Sequence, residues 1–462
     1  MSAIINNSFR KYQADNFISS FTTNNIYVAI GKNDPWDGAS LGEYSQTSPS
    51  DTAVPTPDDT TVAPAIHWND LLAMKKIPSS SVSHVIARYD WESGTVYREY
   101  SHTRNDIIDN NNSVTGTLEN PFYVFTEDFR VYKCISNGNG AQSTIKPTGS
   151  GTGIIPTSDG YKWKYMFEVL QADVLKYLTT DWLPVKSPAD NATTQKAVED
   201  AAVDGALEYI KVTAGGSGYR SNSGLSRDGG SATTIPLADS GSTPASDEDD
   251  FYNGMVVHIT SGTGSGQFRT ITDYTGATRT AEISASWDSG ATIPDQTSAY
   301  TVFPDVTITS TDNSTPAKAA VSKITDGVIE EVVIYVAGTG YRSGTAVVSS
   351  GNGANATLEV IISPPGGHGK NAVAELGGAF VMMNVRLIGF EGEDIPINDD
   401  FRKVHILVNP KLNTSGNPTA TGTVYQKSEV QEDSGTFLYT EFRTPIYRAS
   451  DSTEDIKLVV EF

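Results

Sequence analysis

The sequence has almost no cysteine and no long apolar run. Cys134 is the single cysteine among 462 residues, so an internal disulfide is excluded. A secreted chain this rich in loops would usually carry several disulfides. Its first ten residues lack the apolar stretch of a signal peptide, and no run reaches the ~18 apolar residues of a membrane span. We therefore expect folding in a reducing cytoplasm, with the Cys134 thiol as a small buried apolar group.

Positive charge is also scarce. The chain has 33 Lys and Arg against 55 Asp and Glu, a formal net charge of −22. Phosphate backbones and anionic membrane surfaces both require a surplus of cationic side chains. The composition therefore predicts neither a nucleic-acid partner nor a membrane partner. The simplest consequence of the acidic balance is solubility at high concentration.

What the chain does have is turn residues. It contains 41 Gly and 22 Pro, only 19% charged residues, and abundant Ser, Thr and Asn. Such a mixture suits short strands joined by loops better than long helices. The length corresponds to about three domains at ~150 residues each. We predict a mainly β fold with a few short helices, arranged as a multi-domain, β-sandwich-like architecture with a β-rich insertion.

Local patterns place several elements. The first 20 residues have helical spacing, and residues 25–30 form an apolar strand that breaks at Gly31. Residues 161–169 alternate aromatic and polar side chains with strict period two, which predicts a half-buried strand. Two short helices are also predicted. Trp68, Leu71 and Leu72 share a face of the first, and the second covers residues 171–178 with Leu175 turned inward.

The middle of the chain contains an internal repeat. Residues 204–208 and 326–330 start two strands that both run on to a Gly-x-Gly-Tyr sequence ending in Tyr219 and Tyr341. The two copies align without a gap. Their glycines permit positive φ at a tight turn, after which the Tyr ring can fold back and pack. The repeat predicts duplicated β-modules within a β-rich insert at residues 191–365, between an N-terminal region at 1–190 and a C-terminal region at 366–462.

Catalytic and ligand-binding signatures all fall short. Gly262 and Gly264 begin a dinucleotide-like pattern, but Gln267 replaces its third glycine, so we predict a hairpin turn. Residues 366–370 lack the first glycine and the hydroxyl of a phosphate loop and are interpreted as a flexible connector. No histidine pair has the spacing of a helical zinc site, and the acids at 247–250 lack the pattern of a calcium loop. We predict no catalytic, cofactor-binding or metal-binding residues and no enzymatic activity.

Several segments together resemble one known family. They are IYVAIGKNDPW at 26–36, VIARYDW at 85–91, RNDI at 104–107, DGYKWKYMFE at 159–168, FRKVHI at 401–406, and a C-terminal series through residues 434–462. In this order they resemble the peripheral baseplate wedge subunit, the gene product eight family, of T-even-type contractile-tailed phages. The resemblance covers roughly residues 1–190 and 375–462 and leaves out the β-rich middle.

The resemblance implies a non-enzymatic homodimer, built mainly of β-structure, in the tail baseplate of a myovirus. Its implied partners are a second copy and other wedge proteins, with assembly in the host cytoplasm and a rearrangement that triggers sheath contraction. Large aromatic residues carry much of the energy of such interfaces. Trp36 and Trp91, which lie in matching segments, are therefore the candidate interface anchors, although a core role fits each of them equally well.

Two other functions stay open at this point. The insert at 191–365 fits a carbohydrate-binding module of a tail protein that touches the host surface, and binding of glycans by the insert alone would distinguish it. A tailspike-like hydrolase is the third hypothesis, because carboxylate pairs for glycoside cleavage are set by spatial proximity and 55 acids are available. Release of reducing ends from a host envelope would distinguish that activity.

Overall fold

The chain is mainly antiparallel β-structure, which confirms the predicted fold class. The computed structural model describes residues 7–36, 42–103, 121–186, 193–241, 243–288, 292–386, 400–413, 423–447 and 455–462. The RNDI segment at 104–107 lies outside these ranges. Cys134 is buried as predicted, and burial raises the pKa of its thiol well above the usual value.

The described helices are few and mostly short. They are α1 (Asn7–Thr23), α2 (Ala63–Asp70), α3 (Gln171–Tyr177), α4 (Thr194–Ala201) and α5 (Ala372–Glu375), with 3-10 turns at Ser79–Ser81 and Lys427–Glu429.

The strands account for most of the ordered backbone. In the first third of the chain they are β1 (Ile26–Gly31), β2 (Leu71–Lys76), β3 (Val82–Ala87), β4 (Tyr123–Phe125), β5 (Arg130–Asn137), β6 (Ile154–Pro156), β7 (Tyr161–Glu168) and β8 (Trp182–Val185). In the middle they are β9 (Leu207–Ser217), β10 (Asn222–Leu225), β11 (Thr234–Pro236), β12 (Val256–Ser261), β13 (Phe268–Thr275), β14 (Thr280–Ile283), β15 (Ala299–Phe303), β16 (Asp305–Thr309), β17 (Lys318–Thr325), β18 (Val328–Val336), β19 (Thr345–Val348) and β20 (Ala354–Ile362). The last five are β21 (Phe380–Arg386), β22 (Asp400–Val408), β23 (Val424–Gln426), β24 (Thr436–Tyr447) and β25 (Asp455–Glu461).

Two sheets, the composite sheets, combine strands from opposite ends of the chain. The first has the order β23-β2-β1-β22-β24, and the second has the order β25-β21-β3-β8. Apolar side chains from both sheets, such as Val28, Ile406, Met383 and Leu458, belong to one buried cluster. Burying that surface is the main force that holds the two ends together.

The sheet β4-β5-β7-β6 contains β7, the strand that the sequence pattern predicts most clearly. Along β7 the side chains of Tyr161, Trp163 and Tyr165 are buried, whereas Lys162 and Lys164 are only partly covered. The period-two pattern therefore gave the correct strand and the correct buried face.

Strands of the middle third pair only among themselves in the described part of the chain. They form a six-stranded sheet (β10-β15-β12-β13-β14-β11), a four-stranded sheet (β18-β17-β16-β19) and the pair β20-β9. This arrangement is compatible with an insert at 191–365. The domain boundaries themselves stay a prediction.

The two repeat copies contact each other through a reciprocal pair of backbone hydrogen bonds. The Tyr341 N–H donates to the Gly205 carbonyl at 3.0 Å, and the Tyr219 N–H donates to the Gly327 carbonyl at 3.0 Å. Each copy thus supplies the turn that receives the tyrosine of the other copy. Gly205 has φ +61° and an added Cβ would lie 2.4 Å from the Tyr341 nitrogen, so only glycine fits there. Both tyrosines are buried, as predicted.

Three local predictions were wrong or incomplete. Trp68 is helical, but Leu71 and Leu72 belong to strand β2, because pairing with β1 overrides their helical spacing. Helix α3 forms as predicted, yet Leu175 points outward and is 64% exposed. The predicted flexible connector at 366–370 is a packed turn in which His368 is buried.

Candidate interaction surface and its buried support

Strand β24 is the candidate interaction surface. Among the described strands it is the terminal strand of its sheet, and it pairs with β22 along one side only. Leu438 is 55% exposed, Tyr447 is 71% exposed and Tyr439 is 36% exposed. A long edge strand with exposed large side chains offers backbone groups and apolar area to another chain. In the absence of such a partner this surface costs free energy.

The inner face of β24 packs on a buried aromatic cluster that contains Trp36. This indole is 1% exposed, and its Nε1–H donates to the Arg443 carbonyl of β24 at 2.8 Å. Its ring centroid lies 4.7 Å from that of Phe442 and 5.8 Å from that of Tyr44. Trp36 therefore supports the edge strand from beneath rather than lying on the surface of the single chain.

A fully buried cation lies beside this cluster. Lys403 of β22 is inaccessible to solvent, and its ammonium binds the buried Glu43 carboxylate and, at 2.6 Å, the Asp70 carboxylate. Two charges removed from water are tolerable only when they are paired and hydrogen-bonded. The ionic contact fixes the loop that carries Glu43 and the end of α2 against the sheet.

The neighbouring residue makes a second ionic contact with the same loop region. Arg402 donates to both Asp51 carboxylate oxygens at 2.7 and 2.9 Å, to Asp400 at 2.7 Å and to the Asn33 carbonyl at 3.0 Å. The hydrogen bonds from Arg402 lower the pKa of Asp51 to about 2. Arg402 and Lys403 thus tie the polar segments after β1 to the sheet that presents β24.

Two histidines complete the underside of β24. The ring centroids of His67 and His405 lie 4.8 Å apart, and each ring contacts Phe437. His405 Nδ1 lies 2.9 Å from the Thr440 hydroxyl, whereas His405 Nε2 and His67 Nδ1 have no hydrogen-bond partner among the described residues. Burial, reinforced by the charge of Lys403, lowers the pKa of His67 to about 4. Burial also moves the pKa of His405 well below its usual value.

These histidines predict a loss of stability in mild acid. The unfolded chain takes up a proton near pH 6.5, whereas folded His67 does so only near pH 4, so the unfolded state binds more protons as the pH falls. We expect the free energy of unfolding to drop by roughly 1–2 kcal/mol from this residue between pH 6.5 and 5. Urea unfolding at several pH values measures the drop.

The matched variant for this prediction is His67→Phe, which keeps a ring against Phe437. It should show a shallower pH dependence than the original protein over the same range. Asp51 and Glu375 do not interfere, because both have folded pKa values of about 2 and act at lower pH. An unchanged slope in the variant would contradict the assignment.

Trp91 lies in a different aromatic cluster from Trp36. It is half-buried, and its Nε1–H donates to the Ser143 hydroxyl at 3.0 Å. Its ring packs against the group that contains Tyr97 and Trp163, and its backbone N–H donates to Phe125 at 2.8 Å. The two tryptophans singled out from the sequence are thus not parts of one site.

A second buried ionic cluster links three parts of the chain. Lys133 of β5 binds the Glu375 carboxylate of α5, and His368 Nδ1 lies 3.2 Å from the same carboxylate. All three side chains are buried. Burial raises the pKa of Glu375, but Lys133 and His368 outweigh it and lower that pKa to about 2. The charges are matched internally, so this cluster stabilises the packing of β5, α5 and the turn that carries His368.

The described residues contain no group of three or more His, Cys, Asp or Glu side chains arranged to hold a metal ion. Within the same part of the chain, no helix combines the length and apolar character needed to cross a membrane.

Comparison with known proteins adds the decisive observation. The family model described as "Bacteriophage T4, Gp8" matches residues 3–144 and 381–462. The resemblance to the Gp8 family is confirmed. A curated relative, the baseplate wedge protein gp8 of Enterobacteria phage T4, is 23% identical over 218 residues. That alignment covers 41% of this chain and 62% of the relative, so the chain spans less than two thirds of the protein it matches.

The Gp8-like segments supply every strand of the two composite sheets except β8. Both segments contribute strands to each sheet, and β24, Trp36 and Lys403 all lie within them. The match stops at residue 144, so the strand at 161–168 lies outside it. Sequence reasoning found Trp36 but missed β24 as a surface. The available signal was the β-branched and aromatic composition of residues 436–447, which is typical of a strand.

Proposed function

We propose that this protein is a structural, non-enzymatic component of a phage tail baseplate, positioned in the wedge. The observation that supports this most strongly is that the Gp8-like segments from both ends of the chain build the same two sheets. The relative they match is named a baseplate wedge protein. We further propose that the chain works in the virion of a contractile-tailed myovirus after assembly in the host cytoplasm.

The proposed partners are a second copy of this chain and other wedge proteins. β24 supplies the surface for one such contact, since Leu438, Tyr439 and Tyr447 are exposed on it and no described strand pairs with its outer backbone edge. An assembly held by several such contacts can exist in two packings, and a shift between them is the proposed contribution to sheath contraction. Trp91 stays an interface candidate because part of its ring is accessible. Trp36 is buried and contributes to that contact only through its support of β24.

The double variant Leu438→Ser with Tyr447→Ser tests β24 as the interface. Because both side chains are exposed, we expect the melting temperature to stay nearly constant while self-association or wedge-partner binding weakens by about tenfold or more. Analytical ultracentrifugation and co-purification with the other tail proteins measure the effect.

The matched control for that variant is Leu225→Ser with Val347→Ser. These residues are also exposed, at 58% and 61%, but lie on edge strands β10 and β19 of the middle third. If both variants lost association equally, or if neither lost it, β24 would be excluded as the interface.

A cryo-EM map of the intact tail tests the role as a whole. Density for this chain at the periphery of the baseplate, repeated around the six-fold axis, is the expected result. Density confined to a spike or fibre would instead favour host-surface carbohydrate binding or hydrolysis and would overturn the wedge assignment.

A further inference from the structure

Lys403 and the two carboxylates around it have the composition of a reactive site as well as of an ion pair. The buried Lys403 nitrogen contacts the Glu43 carboxylate and, at 2.6 Å, an oxygen of the Asp70 carboxylate. The Glu43 side chain is 4% exposed and the Asp70 side chain is 28% exposed. A primary amine thus lies against two carboxyl groups in a site that bulk water scarcely enters.

The sheet brings these groups together across an intervening strand. Gly31 of β1 pairs with Lys403 of β22 on one side and with Leu71, the residue after Asp70, on the other. A Cβ at position 31 would lie 2.8 Å from the Asp70 carbonyl oxygen. Because glycine has no side chain, the lysine can extend across β1 to the Asp70 carboxylate. The backbone register therefore holds the amine against the carboxyl group, and such positioning replaces a bimolecular encounter.

The surroundings of the lysine lower the cost of proton transfer within the site. The Lys403 nitrogen lies 5.4 Å from the centroid of the Phe442 ring and 5.9 Å from that of Trp36. Burial disfavours the charged forms of an amine and of a carboxyl group alike. Moving a proton from the ammonium to a neighbouring carboxylate therefore costs less free energy here than in water. The two neutral groups that result are those that condense to an amide.

We propose that Lys403 and Asp70 form an amide bond, with Glu43 as the proton carrier. The neutral Lys403 amine attacks the carboxyl carbon of protonated Asp70, so that a C–N bond forms and a C–O bond breaks. Glu43 takes the proton from the nitrogen and delivers it to the leaving hydroxyl. One water molecule is released, and no atom is oxidised or reduced. Freshly folded protein holds the three groups as the ion pair, and the amide accumulates with time.

The different exposure of the two acids assigns their roles. The accessible part of the Asp70 side chain gives the released water a way out, whereas Glu43 is enclosed and remains in contact with the nitrogen. The new bond joins residues 333 positions apart and ties β22 to the end of α2. The inference does not depend on the proposed function.

Mass spectrometry of the intact chain during incubation at neutral pH tests the proposal. We expect the mass to fall by that of one water molecule per chain. Proteolysis should then release one branched peptide in which Lys403 is linked to Asp70, and fragmentation of that peptide locates the bond. An unchanged mass, or a bond from Lys403 to Glu43, would overturn the proposal.

Three variants separate the roles of the groups. Lys403→Arg keeps the positive charge but lacks the nucleophilic amine, so it should retain its full mass. Glu43→Gln keeps the amine and the acceptor but should react roughly a hundredfold more slowly, because the proton carrier is lost. Asp70→Asn should react with loss of ammonia instead of water, because the leaving group is different. Circular dichroism verifies that each variant is folded.

Succinimide formation is the competing reaction that the arginine variant excludes. It also releases one water molecule and occurs at Asp-Gly sequences such as that at 159–160. A loss of water that persisted in Lys403→Arg, without a branched peptide in the original protein, would assign the change to that reaction and overturn the proposal. Equal rates of amide formation with and without Glu43 would overturn its role as the proton carrier.

Discussion

Replacing Lys403 by methionine is expected to lower the free energy of unfolding by about 3–5 kcal/mol. Methionine preserves most of the side-chain volume, so the loss comes from charge rather than from a cavity. The variant leaves the buried Glu43 carboxylate without its cation and removes a partner of Asp70. Because Lys403 lies in β22, the strand that carries β24, the loosened loop and sheet should also weaken the proposed interface. Urea unfolding followed by circular dichroism measures the change.

A double variant separates the cost of the unpaired acid from other effects. Glu43→Gln added to Lys403→Met removes the stranded charge and should recover about half of the lost stability or more. Lys411→Met, an exposed lysine just after the same strand, serves as the control and should change stability by less than about 0.5 kcal/mol. If Lys403→Met behaved like the control, the ion pair would contribute nothing measurable.

Removing residues 456–462 is expected to make the protein insoluble. These residues make up nearly all of β25, which pairs along the whole length of β21. Leu458 belongs to the buried cluster shared by the two composite sheets, and the Phe462 ring lies 5.2 Å from that of Phe17 in α1. Arg10 of α1 also binds Glu461 and the Phe462 carbonyl. The truncation therefore opens the core and leaves an apolar strand, β21, as an unpaired edge.

Point variants distinguish loss of the core from loss of chain length. Leu458→Ser should reproduce much of the defect, while Lys457→Ser, on the opposite face of the same strand, should not. The soluble fraction after expression and the cooperativity of thermal unfolding are the measurements. A truncated chain that stays soluble and unfolds cooperatively would contradict the expected role of β25.

The sequence was most informative where a pattern is local. The aromatic alternation at 161–169 identified β7 and its buried face, and the Gly-x-Gly-Tyr copies identified turns that require positive φ. The sequence was uninformative where residues far apart in the chain determine the local structure. Leu71 and Leu72 have helical spacing, but their partner strand β1 lies some 45 residues earlier in the chain.

The candidate surface shows the same limit more strongly. Arg402, Lys403 and His405 follow one another in an apolar strand and suggest an exposed face, yet all three are buried. Three of their partners, Glu43, Asp51 and His67, lie more than 300 residues away, so no local sequence pattern predicts these contacts. The prediction that Leu175 points inward was wrong for a local reason. A helix of seven residues packs through few positions, and Tyr177 with Val174 already satisfies that contact.

The pairing of β9 with β20 has a consequence for how such a chain can change. Leu207, at the start of β9, stands opposite Ile362, at the end of β20. Facing residues in an antiparallel ladder have Cα atoms only ~5 Å apart. Because the two ends of the segment between Leu207 and Ile362 lie side by side, its length does not set the distance between the strands that flank it. If the middle third is the predicted insert, we expect this stretch to tolerate changes in length while the flanking strands keep their register, and the same two positions offer a place to graft an unrelated protein for display.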